Sequence, residues 1–391
     1  MKKALQLTQD TKQKIWEKYS VYILLIVLFT MISVNNDKAA VNIYRLLFCL
    51  PLLLFIRKND IIACCKNSFI NKYLALTLFC SISLLWTDSD TIKNMAIKIL
   101  TMTIFLHLTY IASIYNPKVF KKMDEAYILM ALLLIGYIIS KYMGQGIPGD
   151  SVHGIFRNKN EVAWFLSSAC IVTIYKLAFE KANAYLFGIF FIFIAILWKI
   201  QSRAALIGFC AGFLMISACI IKQYGYKKIS KFFILGALLF IPAIFLAGKI
   251  NVIGHLIARA DSYRFEIYAA AFHKITMNIG TIFFGHGIAA NSEYTLSNGI
   301  VVSHWHSIYI NTIFYVGIIG FSLFVYCFFD RFWMLLKKKT TLCVWDVVLL
   351  GTSVALLFDG DTLFNYPNGV YLSFILPAFF AHFYNNCKVN D

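Results

Sequence analysis

Charged side chains are scarce in this chain. They make up 14% of its 391 residues, with 19 acidic residues against 36 basic ones. So little charge beside 60% hydrophobic residues excludes an ordinary soluble domain, which has no interior large enough for that much apolar surface. Cysteine usage excludes two further classes. Of ten cysteines, seven lie in predicted membrane spans, and Cys64, Cys65 and Cys387 lie in segments expected on the cytoplasmic side. No CxxC pair or Cys/His metal spacing occurs, so neither a disulfide framework nor a cysteine-based metal module is expected. No small-residue cleavage site follows the first 18 residues, which carry five lysines. They are expected to form a cytoplasmic tail before an uncleaved first span, not a signal peptide. Internal repeats, low-complexity tracts and a second soluble domain are also lacking. The expectation is a single integral membrane domain over residues 1–391.

Long apolar runs recur instead along the whole chain, with a mean hydropathy of +0.71. A run of roughly 20 apolar residues crosses a bilayer as a helix. On that rule the chain is an all-α polytopic membrane protein with about twelve transmembrane helices. They fall near residues 19–35, 38–56, 72–87, 94–115, 124–142, 160–178, 184–199, 203–222, 231–249, 305–329, 343–358 and 368–386. The 22 Tyr, 36 Phe and 7 Trp suit many interfacial edges. The net charge of +17 is not read as a nucleic-acid surface, because the basic residues are spread among the segments between apolar runs. With the N-terminus inside, the cytoplasmic segments hold 23 of the 36 Lys and Arg and the opposite side 11. That asymmetry places both termini in the cytoplasm.

Nine of those 11 basic residues fall in three places, 141–159, 199–203 and 249–274. Cations held against the topological bias suit an anionic ligand. The longest polar segment, 250–304, lies between the ninth and tenth spans and is too long for a bare connection. Residues 262–279 read as a short helix at the membrane interface, followed by the turn Gly285-His286-Gly287.

Four constellations stand out. In His153–Glu161, Asn158 and Glu161 have the spacing of a helix N-cap pair. Capping leaves Arg157 and Lys159 unexplained, and a helix N-terminus with nearby cations is also an anion site. Gln201-Ser202-Arg203 puts an arginine at a membrane boundary, where it either snorkels to headgroups or offers a guanidinium fork to phosphate oxygens. Tyr263-Arg264-Phe265-Glu266 alone reads as a surface ion pair, but it shares a side of the membrane with Arg157 and Arg203. The last is His304-Trp305-His306-Ser307, opening the tenth span. On a continuous helix, Gly317 would lie about 20° from the azimuth of His306 and Gly320 about 40° to the other side. Small residues on that face would admit a neighbouring backbone and turn His306 into the protein. The plainer alternative is a pair of interfacial histidines flanking a belt tryptophan.

At these residues the chain resembles the O-antigen ligase/polymerase superfamily of bacterial polysaccharide enzymes. The ligase signature is His, then Asn, Ser or Gln, nine residues, Gly, two residues, and Gly, Thr or Tyr. His306, Ser307, Gly317 and Gly320 match it in full. The segment Gly154–Asn160 and the stretch Ser202–Leu206 are similar to other recurring pieces of the family. The resemblance is specific over about residues 140–330. It implies a metal-independent glycosyltransferase in the bacterial inner membrane, acting on the periplasmic face without a cofactor in lipopolysaccharide biosynthesis. Segment 250–304 would then be periplasmic. The donor would be a glycan on undecaprenyl pyrophosphate, and the acceptor the lipid A–core oligosaccharide. Arg203 and Arg264, with Arg157, would hold the donor pyrophosphate. His306 would be the catalytic base, supported by His304, Ser307, Gly317, Gly320 and Asn160. His304 is an addition to the family pattern.

The residues agree with that chemistry. Fixed guanidinium groups stabilise the charge building on a pyrophosphate leaving group, and a histidine can take the proton of an attacking sugar hydroxyl. The close acidic pairs on the outer side, Asp88/Asp90 and Asp359/Asp361, read as short-loop residues and not as metal ligands, although the second lies near the expected site. A polymerase joining lipid-linked repeat units shares the donor chemistry and is the nearest alternative. A transporter for a lipid-linked sugar is the other, but it should show repeats and ionisable groups near mid-bilayer.

Overall fold

The computed structural model describes residues 22, 24–26, 28–30, 42–50, 53, 56–115, 117, 122–142, 150–153, 156–180, 183–225, 263–361, 363–364 and 368–384. Its main helices in chain order are α1 (Lys58–Lys66), α2 (Ser68–Ile82, with a 3₁₀ turn to Trp86), α3 (Ile92–Tyr115), α4 (Met123–Tyr142), α5 (Lys159–Phe179), α6 (Ala184–Ile200) and α7 (Arg203–Tyr224). They continue with α8 (Arg264–Ile275), α9 (Ile279–Phe284), α10 (Ile308–Leu336), α11 (Val344–Ala355) and α12 (Leu376–Tyr384, preceded by a π turn). Among the described residues, six helices are long and apolar enough to cross a membrane, and three shorter apolar ones accompany them. These match nine of the expected spans. The span expected at 231–249 lies outside the described residues, as do most of 19–35 and part of 38–56. The chain is thus an all-α membrane protein. Its only described strands are two small hairpins, β1 (Asp150–His153) with β2 (Phe156–Asn158) and β3 (Tyr294–Thr295) with β4 (Val301–Val302).

Asparagine starts four of these helices. Asn67, Asn158, Asn183 and Asn278 each accept the amide three residues on, at 2.8–3.0 Å, which satisfies one of the donors a helix leaves open at its N-terminus. Asn158 therefore caps α5 as its spacing suggested. Glu161 does not complete the pair. Its carboxylate is buried and accepts the amide of Gly369 at 3.2 Å.

Helix α5 is the centre of the bundle, enclosed by α4, α6, α7 and α11. Small residues let these backbones approach, since a β-carbon at Gly208 of α7 would sit 2.5 Å from the Gly351 carbonyl of α11. Such contacts carry association where lipid tails are as apolar as the side chains. The register orients the bundle. Helices α5 and α7 run in parallel, with Ser167 Oγ donating to Ala205 O at 3.1 Å and Gly212 packed on Ile171. Helix α11 runs against them, so its exit lies beside the starts of α5 and α7.

At the opposite end lie the ion pairs. Lys72 of α2 meets Asp330 of α10, and Lys176 of α5 meets Asp124 of α4. Arg331 makes a bidentate contact with Asp346, Nε–Oδ1 2.7 Å and a terminal nitrogen to Oδ2 3.0 Å, with both side chains buried. Every one of these charges belongs to a segment or span edge expected at the cytoplasmic face or directly adjoining it. The basic bias of the sequence and the packing thus pick out the same end.

Helix α10 is broken. Gly317 adopts φ 63°, ψ −171°, a conformation that favours glycine. The break frees the carbonyls of Phe314 and Tyr315 from their intrahelical partners. The amides of His286 and Gly287 fill them at 2.9 and 2.8 Å, as buried backbone groups require. The turn after α9 is thereby laid backbone to backbone on the kink. A β-carbon at Gly317 would stand 2.3 Å from Phe283 O, and one at Gly285 2.5 Å from Tyr315 O.

Candidate active site

Residues 303–307 form a strap that crosses the end of the bundle before α10 begins. His306 precedes the helix and holds φ 48°, in the left-handed region that costs a non-glycine residue roughly 1–2 kcal/mol. This corrects the expected geometry. His306 and the glycines do not share one face of a continuous helix, because the helix starts at Ile308 behind Ser307 and is interrupted at Gly317. The glycines act as close-approach positions instead. Gly317 seats the α9 turn, and Gly320 faces Phe79 of α2, 3.0 Å from where its β-carbon would be.

The strap is tied down on all sides. Trp305 is fully buried. Its amide donates to Asn311 Oδ1 at 3.3 Å, and the Asn311 amide group donates to the carbonyls of Ser307 and Gly360, both at 2.9 Å. Ser307 is buried and occupies the N-cap position of α10 without a side-chain cap bond. From α8, the Tyr268 hydroxyl reaches the carbonyls of His306 at 3.2 Å and Leu357 at 3.3 Å, fastening the strap to the exit of α11. Burial raises the Tyr268 phenol above its ordinary value, with Arg264 opposing and Asp359 adding to the effect.

The chemistry gathers around Asp359. This carboxylate is buried, and its Oδ1 lies 3.4 Å from His306 Nδ1. Oδ2 accepts the Asn160 amide at 2.6 Å, and Oδ1 also accepts the Gly360 amide at 2.8 Å. Burial alone would push the Asp359 carboxyl up, but the contact with His306, then the Gly360 amide and the nearby His304, outweigh it and hold it below its ordinary value. An ionised Asp359 keeps the proton on Nδ1 of His306 and leaves Nε2 as the acceptor, the arrangement of a general base with its orienting carboxylate. The side chain of His306 is 34% exposed, so it can meet a solute. His304 stands beside it, ring centroids 4.3 Å apart. Burial, then the neighbouring His306, push the His304 imidazole below its ordinary value against the pull of Asp361 and Asp359.

Asp359 does lie in the short loop after α11, near the expected site, and there it is the buried partner of His306. Asp88 and Asp90 are exposed. Asn311 and Tyr268 were also missed. The signals were an asparagine inside an apolar span and a tyrosine two turns before Lys274 on an amphipathic helix. A helix is found within the expected range 262–279, as α8, and α9 follows it. Glu266 is not an ion-pair partner for Arg264 among the described contacts. It accepts the Ser297 amide at 2.6 Å and hydroxyl at 3.0 Å, tying α8 to the β3–β4 turn.

The other expected residues distribute as follows. Arg264 opens α8, one turn before Tyr268, and is the charge that acts on that phenol. Arg203 opens α7 behind the left-handed Gln201, at the same end of the bundle as Asn160 and Asp359. Arg157 lies in β2, and its side chain is outside the described part, as is Arg259. A cavity of about 910 Å³ opens between the end of α2, α8 and α9, and none of the strap residues 303–307 lines it. Trp86, Phe284 and Phe314 give it apolar walls, and Lys274, Asn278 and Asn291 polar ones. Burial lowers the Lys274 ammonium below its ordinary value. The ammonium donates to Glu293 O at 3.1 Å and stands 5.2 Å from the centre of the Trp305 ring.

A helical membrane protein that brings a histidine, a buried carboxylate and arginines together at one end of its bundle has the makings of a membrane enzyme. The family model described as O-antigen ligase matches residues 187–325, less than half of the chain, and this supports the resemblance to the O-antigen ligase superfamily that the His-Ser spacing implied. The members of that family are glycosyltransferase-like ligases or polymerases, with lipid-linked glycans as substrates. No curated protein matches the chain. The matched stretch includes Arg203, Arg264, His304, His306, Gly317 and Gly320, and it stops short of Asn160 and Asp359.

Proposed function

We propose that this protein is an O-antigen ligase. It transfers a glycan from undecaprenyl pyrophosphate to the lipid A–core oligosaccharide at the periplasmic face of the bacterial inner membrane. The observation that carries the reading is the His306–Asp359–Asn160 chain at the end of the bundle away from the basic loops. His306 Nε2 takes the proton of the acceptor hydroxyl as that oxygen attacks the anomeric carbon, and Asp359 stabilises the imidazolium that forms. The bond from the anomeric carbon to the pyrophosphate breaks, and the charge left on the leaving oxygen is met by Arg203 and Arg264, with Arg157 from the α5 entry. The donor set needs no cofactor for these steps. In this reading about twelve spans hold both termini in the cytoplasm, and residues 250–304 are periplasmic.

Deleting the gene and resolving lipopolysaccharide on a gel tests the assignment. Core-only lipopolysaccharide with polymerised glycan retained on the carrier is expected. A single repeat unit on the core would assign the chain as a polymerase instead. Purified protein should move glycan between the two lipids without ATP, which a transporter cannot do. His306→Ala should abolish that transfer while the protein still inserts, and full transfer by this variant would remove His306 as the base.

A further inference from the structure

His304, His306 and Asp359 contribute two imidazole nitrogens and one carboxylate oxygen that all lie within 4.8 Å of one another. We propose that they form a binding site for a zinc-like divalent transition metal ion, and that its occupation switches the enzyme off. The second half rests on the reading of His306 as the base.

Three features make this a metal-binding geometry. First, the spacing fits. Zn²⁺ takes nitrogen and carboxylate oxygen at about 2.0–2.1 Å in a tetrahedron, which separates neighbouring ligand atoms by about 3.3–3.4 Å. His306 Nδ1 and Asp359 Oδ1 stand 3.4 Å apart, long for a charge-assisted hydrogen bond and right for two ligands of one ion. The widest separation in the triad closes by roughly 1–1.5 Å to reach a tetrahedral edge, within the reach of a rotation of the half-buried His304. The two rings are tilted by 53°, not stacked flat, so the ligand edges can converge. Second, the outer partners are in place. A ligating carboxylate and a ligating imidazole are each held by a further hydrogen bond in metal sites. Asn160 holds Asp359 Oδ2 at 2.6 Å, and Ser303 Oγ lies 3.2 Å from His304 Nδ1. Third, one side is open. Three protein ligands leave a fourth position, and His306 is 34% exposed toward the mouth. Two imidazoles and one carboxylate favour zinc and its neighbours over Mg²⁺ or Ca²⁺, which take oxygen.

An ion on this triad occupies the imidazole that must accept the substrate proton and neutralises the carboxylate behind it. The same residues then serve proton transfer when empty of metal and block it when filled. His304, the addition to the family pattern, turns a base and its carboxylate into a three-ligand set.

The test uses the full chain purified in detergent. Co²⁺ is added and its visible d–d absorption recorded, followed by competition with Zn²⁺. One tetrahedral Co²⁺ per chain, displaced by Zn²⁺, is expected. His304→Ala and Asp359→Asn should each weaken binding more than about 100-fold, and Asn160→Ala, which removes only an outer partner, about 10–100-fold. His273→Ala, an exposed histidine outside the triad, should bind like the wild type. Thermal unfolding without metal shows that each variant is folded. No bound Co²⁺, or binding unaffected by His304→Ala in a folded protein, overturns the site. Zinc should also inhibit glycan transfer, and a chelator should restore it. If zinc binds at the triad and transfer continues, the inhibitory role falls together with the base assignment of His306. If zinc does not bind while His306→Ala still abolishes transfer, the metal site falls and the enzymatic reading stands.

Discussion

Replacing Asp359 by Asn removes a charge and keeps the shape. The carboxylate lies 3.4 Å from His306 Nδ1, where a full charge on each group interacts by about 5 kcal/mol at an effective dielectric of about 20. His306 is one-third exposed, so water screens part of this, and about half, roughly 2.5 kcal/mol, is the realistic loss of imidazolium stabilisation. At 1.36 kcal/mol per decade that corresponds to a rate reduction of about 70-fold. The amide adds a second defect. Its NH₂ group can donate to Nδ1 and drive the proton to Nε2, the wrong tautomer, which in a Ser-His-Asp triad costs about 10⁴-fold. The expected rate therefore lies between about 70-fold and about 10⁴-fold below wild type, with little change in donor binding. The assay is the initial rate of glycan transfer by purified protein, run beside a thermal unfolding curve. Transfer within a few-fold of wild type by a folded Asp359→Asn protein would refute the orienting role.

Further perturbations probe the frame around the site. Gly317→Ala places a methyl against Phe283 O at a left-handed backbone position, so it should cost about 1–2 kcal/mol for the backbone alone plus the clash, read as a lower melting temperature and weaker protection of the 285–287 amides. Arg331→Met leaves Asp346 buried and unpaired, and should destabilise by about 3–5 kcal/mol, whereas Arg331→Met with Asp346→Leu should recover most of that in the same thermal assay. The folded state lowers the His304 imidazole below its ordinary 6.5, so the unfolded chain binds its proton first. Stability from this group is constant above that value and declines as pH falls through it. His304→Gln should flatten that part of a melting-temperature profile. Asp359 has the opposite pattern. Its carboxyl is held below the ordinary 3.8, so its contribution is complete above that pH and is lost only as pH falls through the lower folded value. Activity lost at mildly acid pH is then not due to Asp359.

The helices were legible because lipid imposes a plain rule. A long apolar run must become a helix, and the position of Lys and Arg records its orientation. Asn158 was legible as a cap for the same kind of local reason. His306 could be singled out by its spacing to Gly317 and Gly320, but its conformation could not. The azimuth argument assumed a continuous helix, whereas the break at Gly317 is filled by a turn about 30 residues earlier in the chain, Gly285–Gly287, and the left-handed His306 is held by Tyr268 and Asp359. Asp359 was hidden for a related reason. Its role comes from the antiparallel packing of α11 against α5 and α7, and nothing within its own short loop distinguishes it from Asp88.

The segment matched by the family is not self-sufficient. It holds the imidazole on the strap, while the carboxylate and the amide that grips it arrive from the end of α11 and the beginning of α5. Grafting residues 187–325 into another protein that matches the same family model would transplant the imidazole and leave its carboxylate partner behind. A chimera that keeps these contacts must instead exchange the α5 entry, the strap and the α11 exit together. The natural unit of inheritance here is one rim of the bundle, drawn from three distant parts of the chain.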